Sequence, residues 1–269
     1  MYDGCSKTCA ANRIAMTSAS PYPVYPFPTA LFWRLAAAAL LGRTRSFRQD
    51  AQETVRSAGI PLQVAGREHI PASGPFLLVC NHYWRPGFHA WWFVLALSSV
   101  IPVEMRWLVT EAWTFCEQPA LRFLTPLTRW AFRRAARVYG FSALPAMPPD
   151  PAEVEQRAAA VRAVLRCARQ APEPAVALAP EGMDMPGGLP GAPPPGVGRF
   201  VRQLARYCGE IVPVGVYEER QNLCLNFGAG IQLSSRGDAN PEETDRQTSA
   251  QVMKAIASLL PEDLRGAYR

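Results

Sequence analysis

A histidine placed where a buried strand gives out is the feature of this chain best suited to chemistry. Phe76–Cys80 (FLLVC) is a five-residue apolar run, the length of one buried strand. Asn81-His82 follow it, at the carboxyl end where open α/β sheets tend to hold ligands. An unperturbed imidazole titrates near neutrality, so His82 could accept and return a proton. Capping or packing at the strand end would account for an isolated histidine equally well. The second segment of interest is Pro180-Glu181-Gly182, roughly one hundred residues on, after the apolar run Ala175–Leu178. The loop that follows it to Val197 contains Asp184 and holds five of the chain's 26 prolines. A loop of that length inside a compact domain is usually functional or mobile.

These segments need a sheet to hold them, and the patterning supplies one. Pro86-Gly87 break the chain after His82, and Phe88–Leu97 is expected as an apolar, aromatic-rich helix. Leu62–Gly66, Ile101–Val109, Val138–Ala143, Ile211–Val216 and Leu223–Ile231 are expected strands, and Arg67–Ser73, with His69, a polar turn. Glu111–Ala136 alternates helical stretches with breaks at Pro119 and Pro126, and its arginines suit a solvated face better than a phosphate site. Asp150-Pro151-Ala152-Glu153 is a helix-start signature for Pro151–Arg169. Arg199–Cys208 and Thr244–Leu260 are further helices, the last preceded by a polar linker at Ser234–Thr244. Strands alternating with helices predict an α/β fold: a mixed, largely parallel sheet flanked by helices, with an N-terminal helical appendage.

Three regions are expected. Residues 1–28 are polar and proline-rich, a disordered leader passing into an extended segment, without the basic head and apolar stretch of a secretion signal. Residues 29–50 hold a helix over Thr29–Gly42, too short to span a bilayer. Its Phe32, Trp33 and Leu35, with Arg34, Arg43, Arg45 and Arg48, suit an interfacial helix on anionic lipid; packing on the protein's own core is the alternative. Residues 51–269 form the main domain. The net charge of +6, carried mostly by arginine, favours an anionic partner, and no nucleic-acid-binding signature accompanies it. Seven scattered cysteines without a C-x-x-C pair indicate neither zinc site nor disulfide framework, and point to a reducing compartment: the cytoplasm, or the inner face of its membrane.

Taken in order, Asn81-His82, Pro180-Glu181-Gly182, Ile211-Val212-Pro213-Val214 and the closing Ala250–Tyr268 resemble the glycerolipid acyltransferase family, lysophosphatidic acid acyltransferase-like, over roughly residues 55–265. The family pattern is Asn-His-x4-Asp, then Pro-Glu-Gly-Thr-Arg, then a Val-Pro-Val strand. The resemblance implies an α/β fold and an O-acyltransferase. In it, histidine takes the proton of an acceptor hydroxyl as that oxygen attacks an acyl thioester. The co-substrate would be acyl-CoA or acyl carrier protein, the acceptor a lipid or lysophospholipid, with no metal or organic cofactor. Candidate site residues are His82 as base, with Asn81, Trp84, Arg85, Gly87, Glu181 and Gly182 around the substrate. The aromatic Tyr83, Trp84, Phe88, Trp91 and Trp92 could line an acyl tunnel or simply pack a core. His89 could face the site or pack.

The sequence departs from that pattern in three places. Gly87 stands where the orienting aspartate belongs, Met183-Asp184 replace Thr-Arg, and no arginine closes the strand expected at Val138–Ala143. Without the arginines the case for a phosphate-bearing acceptor weakens. The missing carboxylate suggests a swap: Asp184, or failing it Glu181, reaches His82 from across the cleft, where Gly87 leaves room, and Asp184 then joins His82 as a catalytic residue. The alternative is that Asp184 is a solvated loop residue. Three readings follow: an active acyltransferase with a rearranged site, a silent relative that binds lipid or membrane, and a thioester hydrolase.

Overall fold

Alternation along one five-residue run sets the layering. Phe76–Cys80 forms strand β2, buried at every position. Phe76, Leu78 and Cys80 join one apolar layer while Leu77 and Val79 join the other, as the two-residue period of a strand requires. The computed structural model describes residues 22–113, 119–146, 151–184, 188–233 and 240–269. The helices are α1 (Thr29–Leu40), α2 (Phe47–Ala58), α3 (Trp91–Val100), α4 (Thr125–Tyr139), α5 (Val154–Gln170), α6 (Val197–Cys208) and α7 (Pro241–Ala257). The other strands are β1 (Leu62–Ala65), β3 (Arg106–Thr110), β4 (Ser142–Leu144), β5 (Ala175–Leu178), β6 (Glu210–Glu219) and β7 (Asn222–Phe227).

They make one seven-stranded sheet in the order β1-β7-β6-β2-β5-β3-β4. β2 lies parallel between β5 and β6, and β3 parallel between β5 and β4. β6 and β7 form an antiparallel pair, and β1 runs parallel to β7, so that edge runs against the rest. The fold is therefore a mixed, largely parallel α/β sheet. Val55 of α2 and Trp92, Phe93 and Leu97 of α3 cover one face. Val164 of α5, Leu204 of α6 and Met253 and Ile256 of α7 cover the other. Each such side chain contributes about 1.5–3 kcal/mol by leaving water.

The strand order creates one crevice. From β2 the chain passes β5 to reach β3, with α3 on the first face. From β5 it passes β2 to reach β6, with α6 on the opposite face. Two adjacent parallel strands whose connections leave in opposite directions open a gap at their carboxyl ends, which is where α/β sheets hold ligands. His82 leaves β2 and Glu181 leaves β5 at that gap.

Several element boundaries differ from the sequence expectation. Helix α3 begins at Trp91 rather than Phe88, because Gly87 takes a left-handed φ of 81° and Phe88 is buried beneath Tyr25 and Tyr83. Strand β3 starts five residues later than expected, as Ile101 still caps α3. Strand β4 is short because α4 runs on to Tyr139 and is closed by left-handed Gly140. Strand β7 ends at Phe227, and Ile231 makes only a bridge to Ile211. The last helix starts at Pro241, where the Asn240 side chain accepts from Glu242 N, and ends at Ala257. The expected cap Asp150, most of the leader and part of the 234–244 linker lie outside the described residues.

Residues 22–28 are extended. Helix α1 buries Leu31 and Ala38 yet leaves Trp33, Leu40 and the adjoining Leu41 exposed, so it packs on the protein through one side and keeps an apolar side free. It is held to α4 by Arg134 Nη1 donating to the Ala39 carbonyl, and to α2 by the Arg34–Glu53 ion pair. Among the described residues, no helix is long and apolar enough to cross a membrane.

Candidate active site

Two loops meet over the crevice, 81–90 after β2 and 179–196 after β5. They come close at Gly188, where φ is 68° and a Cβ would lie 2.3 Å from the Trp84 carbonyl oxygen. Only glycine fits there, both for its backbone angle and for the space.

At the end of β2 the imidazole of His82 packs edge-on to Phe93, ring centres 5.5 Å apart. Its Nδ1 lies 3.1 Å from Oδ1 of Asp184. The distance is that of an ion pair, but the angle is not that of a hydrogen bond, and Nδ1 is buried with no aligned partner among the described residues. With Nδ1 beside Asp184, Nε2 is the ring nitrogen that does not face this carboxylate.

Glu181 has a different task. It is 1% exposed, and its two carboxylate oxygens accept the backbone N–H groups of His82 and Gly191, the latter at 3.1 Å. It thereby ties the start of one loop to the middle of the other. Burial pushes its carboxyl pKa up, and the two amides and the nearby imidazole only partly offset that. An ionised carboxylate can accept both amides, whereas a protonated one turns an O–H toward a donor. Glu181 positions His82 through the backbone, and Asp184 is the carboxylate at the ring.

Two of the residues expected around the substrate have side-chain polar atoms bonded within the protein. Asn81 is buried and extends the sheet: its Nδ2 donates to Val216 O at 2.8 Å and its Oδ1 accepts from Val216 N at 2.7 Å. Arg85 forms a two-pronged pair with Glu218 of β6, whose side chain is fully buried. Tyr25 and Tyr83 hydroxyls donate to the same carboxylate at 2.8 and 2.9 Å, and burial beside it holds both phenol pKa values far above the usual range. This cluster pins the extended segment at residues 22–28 over the β2–α3 loop. Glu218 was not singled out in the sequence, where it stands beside Glu219 at the end of the strand. Phe93, against the imidazole, was read only as part of a helix.

Of the aromatic residues, Tyr83, Phe88 and Trp92 are core, while Trp84 and Trp91 are half-buried. His89 stacks on Trp91 at 4.1 Å on the exposed side. Gly87 and Gly182 are exposed turn glycines with φ of 81° and 69°. At Gly87 a Cβ would touch only Arg85 Nη1, at 3.6 Å, so the backbone angle rather than crowding asks for glycine. Among the described residues no group of three or more His, Cys, Asp or Glu side chains is gathered as for a metal ion.

The fold and site together define an α/β protein with a histidine–carboxylate pair at a topological switch point. No family model matches the chain, and no curated protein matches it. Among solved structures it is similar to the 1-acyl-sn-glycerophosphate (LPA) acyltransferase PlsC of Thermotoga maritima, with 13% identity and a TM-score of 0.45, over 86% of this chain and 82% of that one. The chemistry has to be read from the site itself.

Proposed function

We propose that the protein is an O-acyltransferase that moves a fatty acyl group from a thioester, acyl-CoA or acyl carrier protein, to the hydroxyl of a lipid acceptor. The observation that carries this reading is the contact of His82 Nδ1 with Asp184 at 3.1 Å, on loops that bear the Asn-His and Pro-Glu-Gly segments. His82 Nε2 takes the acceptor's proton as the acceptor oxygen attacks the thioester carbonyl carbon. The C–O bond forms, the C–S bond breaks, and the imidazolium returns its proton to the departing thiolate. Asp184 holds the ring's tautomer and balances the charge that His82 gains in the transition state. Glu181 keeps the two loops in register throughout. Half-buried Trp84 and exposed Met183 and Leu189 are apolar groups on the same loops, suited to an acyl chain.

The exposed Trp33, Leu40 and Leu41 at α1 and Leu127 and Trp130 on α4 support a peripheral place on an anionic membrane, where acceptor and product would reside. The deciding experiment is transfer of a labelled acyl group from acyl-CoA to a panel of lipid hydroxyl acceptors, wild type beside His82→Ala. Loss of transfer in a folded His82→Ala protein supports the mechanism, and undiminished transfer overturns it. Transfer to water alone would mark a thioester hydrolase. Lipid binding without any turnover would mark a silent binding protein.

A further inference from the structure

The charges around His82 bear on which acceptor the site takes, provided the acyl-transfer reading holds. Loop 81–90 carries one arginine, Arg85; loop 179–196 carries Glu181 and Asp184 and no lysine or arginine. Arg85 is fully engaged. Nε and Nη2 are on buried Glu218, Nη1 donates to Pro86 O at 2.9 Å, and the guanidinium lies 4.3 Å over the Tyr22 ring. Beyond β3 the same matching recurs, with Arg129 and Arg133 both on buried Glu111, at 3.2 and 3.0 Å. The C-terminal turn docks on the second loop through Tyr268 and the Gly191 carbonyl. Of its arginines, Arg265 donates to Leu260 O and Arg269 is exposed.

Among the described residues of these two loops, the charged side chain at the imidazole is an anion. The Asp184 side chain is 55% exposed while its oxygen lies 3.1 Å from Nδ1, so its charge is presented to solvent beside the imidazole as well as to His82. A phosphate brought beside His82 would meet that carboxylate, and neither loop offers it a free cation. Like charges so placed oppose binding, whereas an uncharged hydroxyl meets no such barrier. We propose that the acceptor is an uncharged lipid hydroxyl, without a phosphate, and that Asp184 imposes this preference as well as orienting His82.

A matched pair of acceptors tests this: a 1-monoacylglycerol and its 3-phosphate, with the same acyl chain and the same acyl-CoA donor. Wild type is expected to show kcat/KM at least about tenfold higher for the monoacylglycerol. Asp184→Asn should slow both reactions yet narrow that ratio. Met183→Lys, adding a cation at an exposed position next to Asp184, should raise use of the phosphate-bearing acceptor selectively. A wild-type preference for the phosphate, or a ratio that neither variant moves, overturns the proposal. A second arm needs no turnover: glycerol 3-phosphate is titrated against the His82 ring signals by NMR. No saturable shift is expected up to ~10 mM, and a Kd below ~1 mM at His82 overturns the proposal outright. No transfer to either acceptor, with glycerol 3-phosphate still excluded, overturns the acyl-transfer reading and supports the exclusion of phosphate.

Discussion

Replacing Asp184 by asparagine keeps the size of the side chain and removes its charge, which isolates the part it plays at His82. The relevant quantity is how much the carboxylate stabilises the imidazolium that forms in the transition state. At the observed 3.1 Å, two unit charges interact by about 1.3 kcal/mol in bulk water and about 5 kcal/mol at an effective dielectric of about 20. His82 is 17% exposed but Asp184 is 55% exposed, so solvent screens the pair and the value belongs in the lower half of that range. About 1.5–3 kcal/mol corresponds to a loss of about 10- to 100-fold in turnover. The assay is steady-state acyl transfer with acceptor in excess, alongside urea unfolding of the same preparations. Asp184→Asn should lower kcat by that factor while the unfolding midpoint barely moves, since an exposed loop carboxylate contributes little to stability. In a His82→Ala background the same substitution should cost nothing further, because its effect passes through the ring. An Asp184→Asn protein with wild-type kcat would refute the pairing as a catalytic device.

Glu181→Gln should act differently, since Gln sets an NH2 group against one of two backbone donors. A destabilisation of about 1–3 kcal/mol in urea unfolding is expected together with lost activity, and unchanged stability would contradict the bridging role. Burial alone would raise the pKa of Asp50, but hydrogen bonds from Arg45 and Tyr139 hold it below its ordinary value. That contribution is present above the unfolded pKa of about 3.9 and is lost as pH falls through the lower folded value. Asp50→Asn should therefore be less stable at neutral pH and show a flatter decline below about pH 4, followed by urea midpoints across that range. Replacing Trp33 and Leu40 by serine should weaken sedimentation with anionic vesicles, and wild-type binding should fall with added salt; equal binding of the variant would return α1 to a purely packing role.

Much of the fold is legible locally because burial period and chain-breaking residues act over a few positions. The all-apolar Phe76–Cys80 run had to be a buried strand, and Gly209 ends its helix where the backbone turns. Boundaries slipped where a neighbour from elsewhere intervened. Phe88 has helical company in sequence, but Tyr25, over sixty residues earlier, covers its ring and holds it outside α3.

The site divides the same way. The sequence by itself determined that a histidine and a Glu-Gly loop leave two strands, since strand ends are a local matter. The resemblance to an Asn-His-x4-Asp pattern implied a carboxylate at the position that Gly87 occupies, and so raised Asp184 as a substitute. Only the tertiary structure decided what each side chain spends itself on. Arg85 looks free in sequence, yet its partner Glu218 lies 133 residues away. Asn81, beside the histidine, is bonded to Val216, 135 residues on. Both partners sit on β6, which the strand order places next to β2. That order is settled by which faces bury together across the whole chain, and no local pattern encodes it. The same adjacency of β2 and β5 sets Asp184 against His82, because neighbouring parallel strands bring their carboxyl ends, and whatever follows them, to one edge.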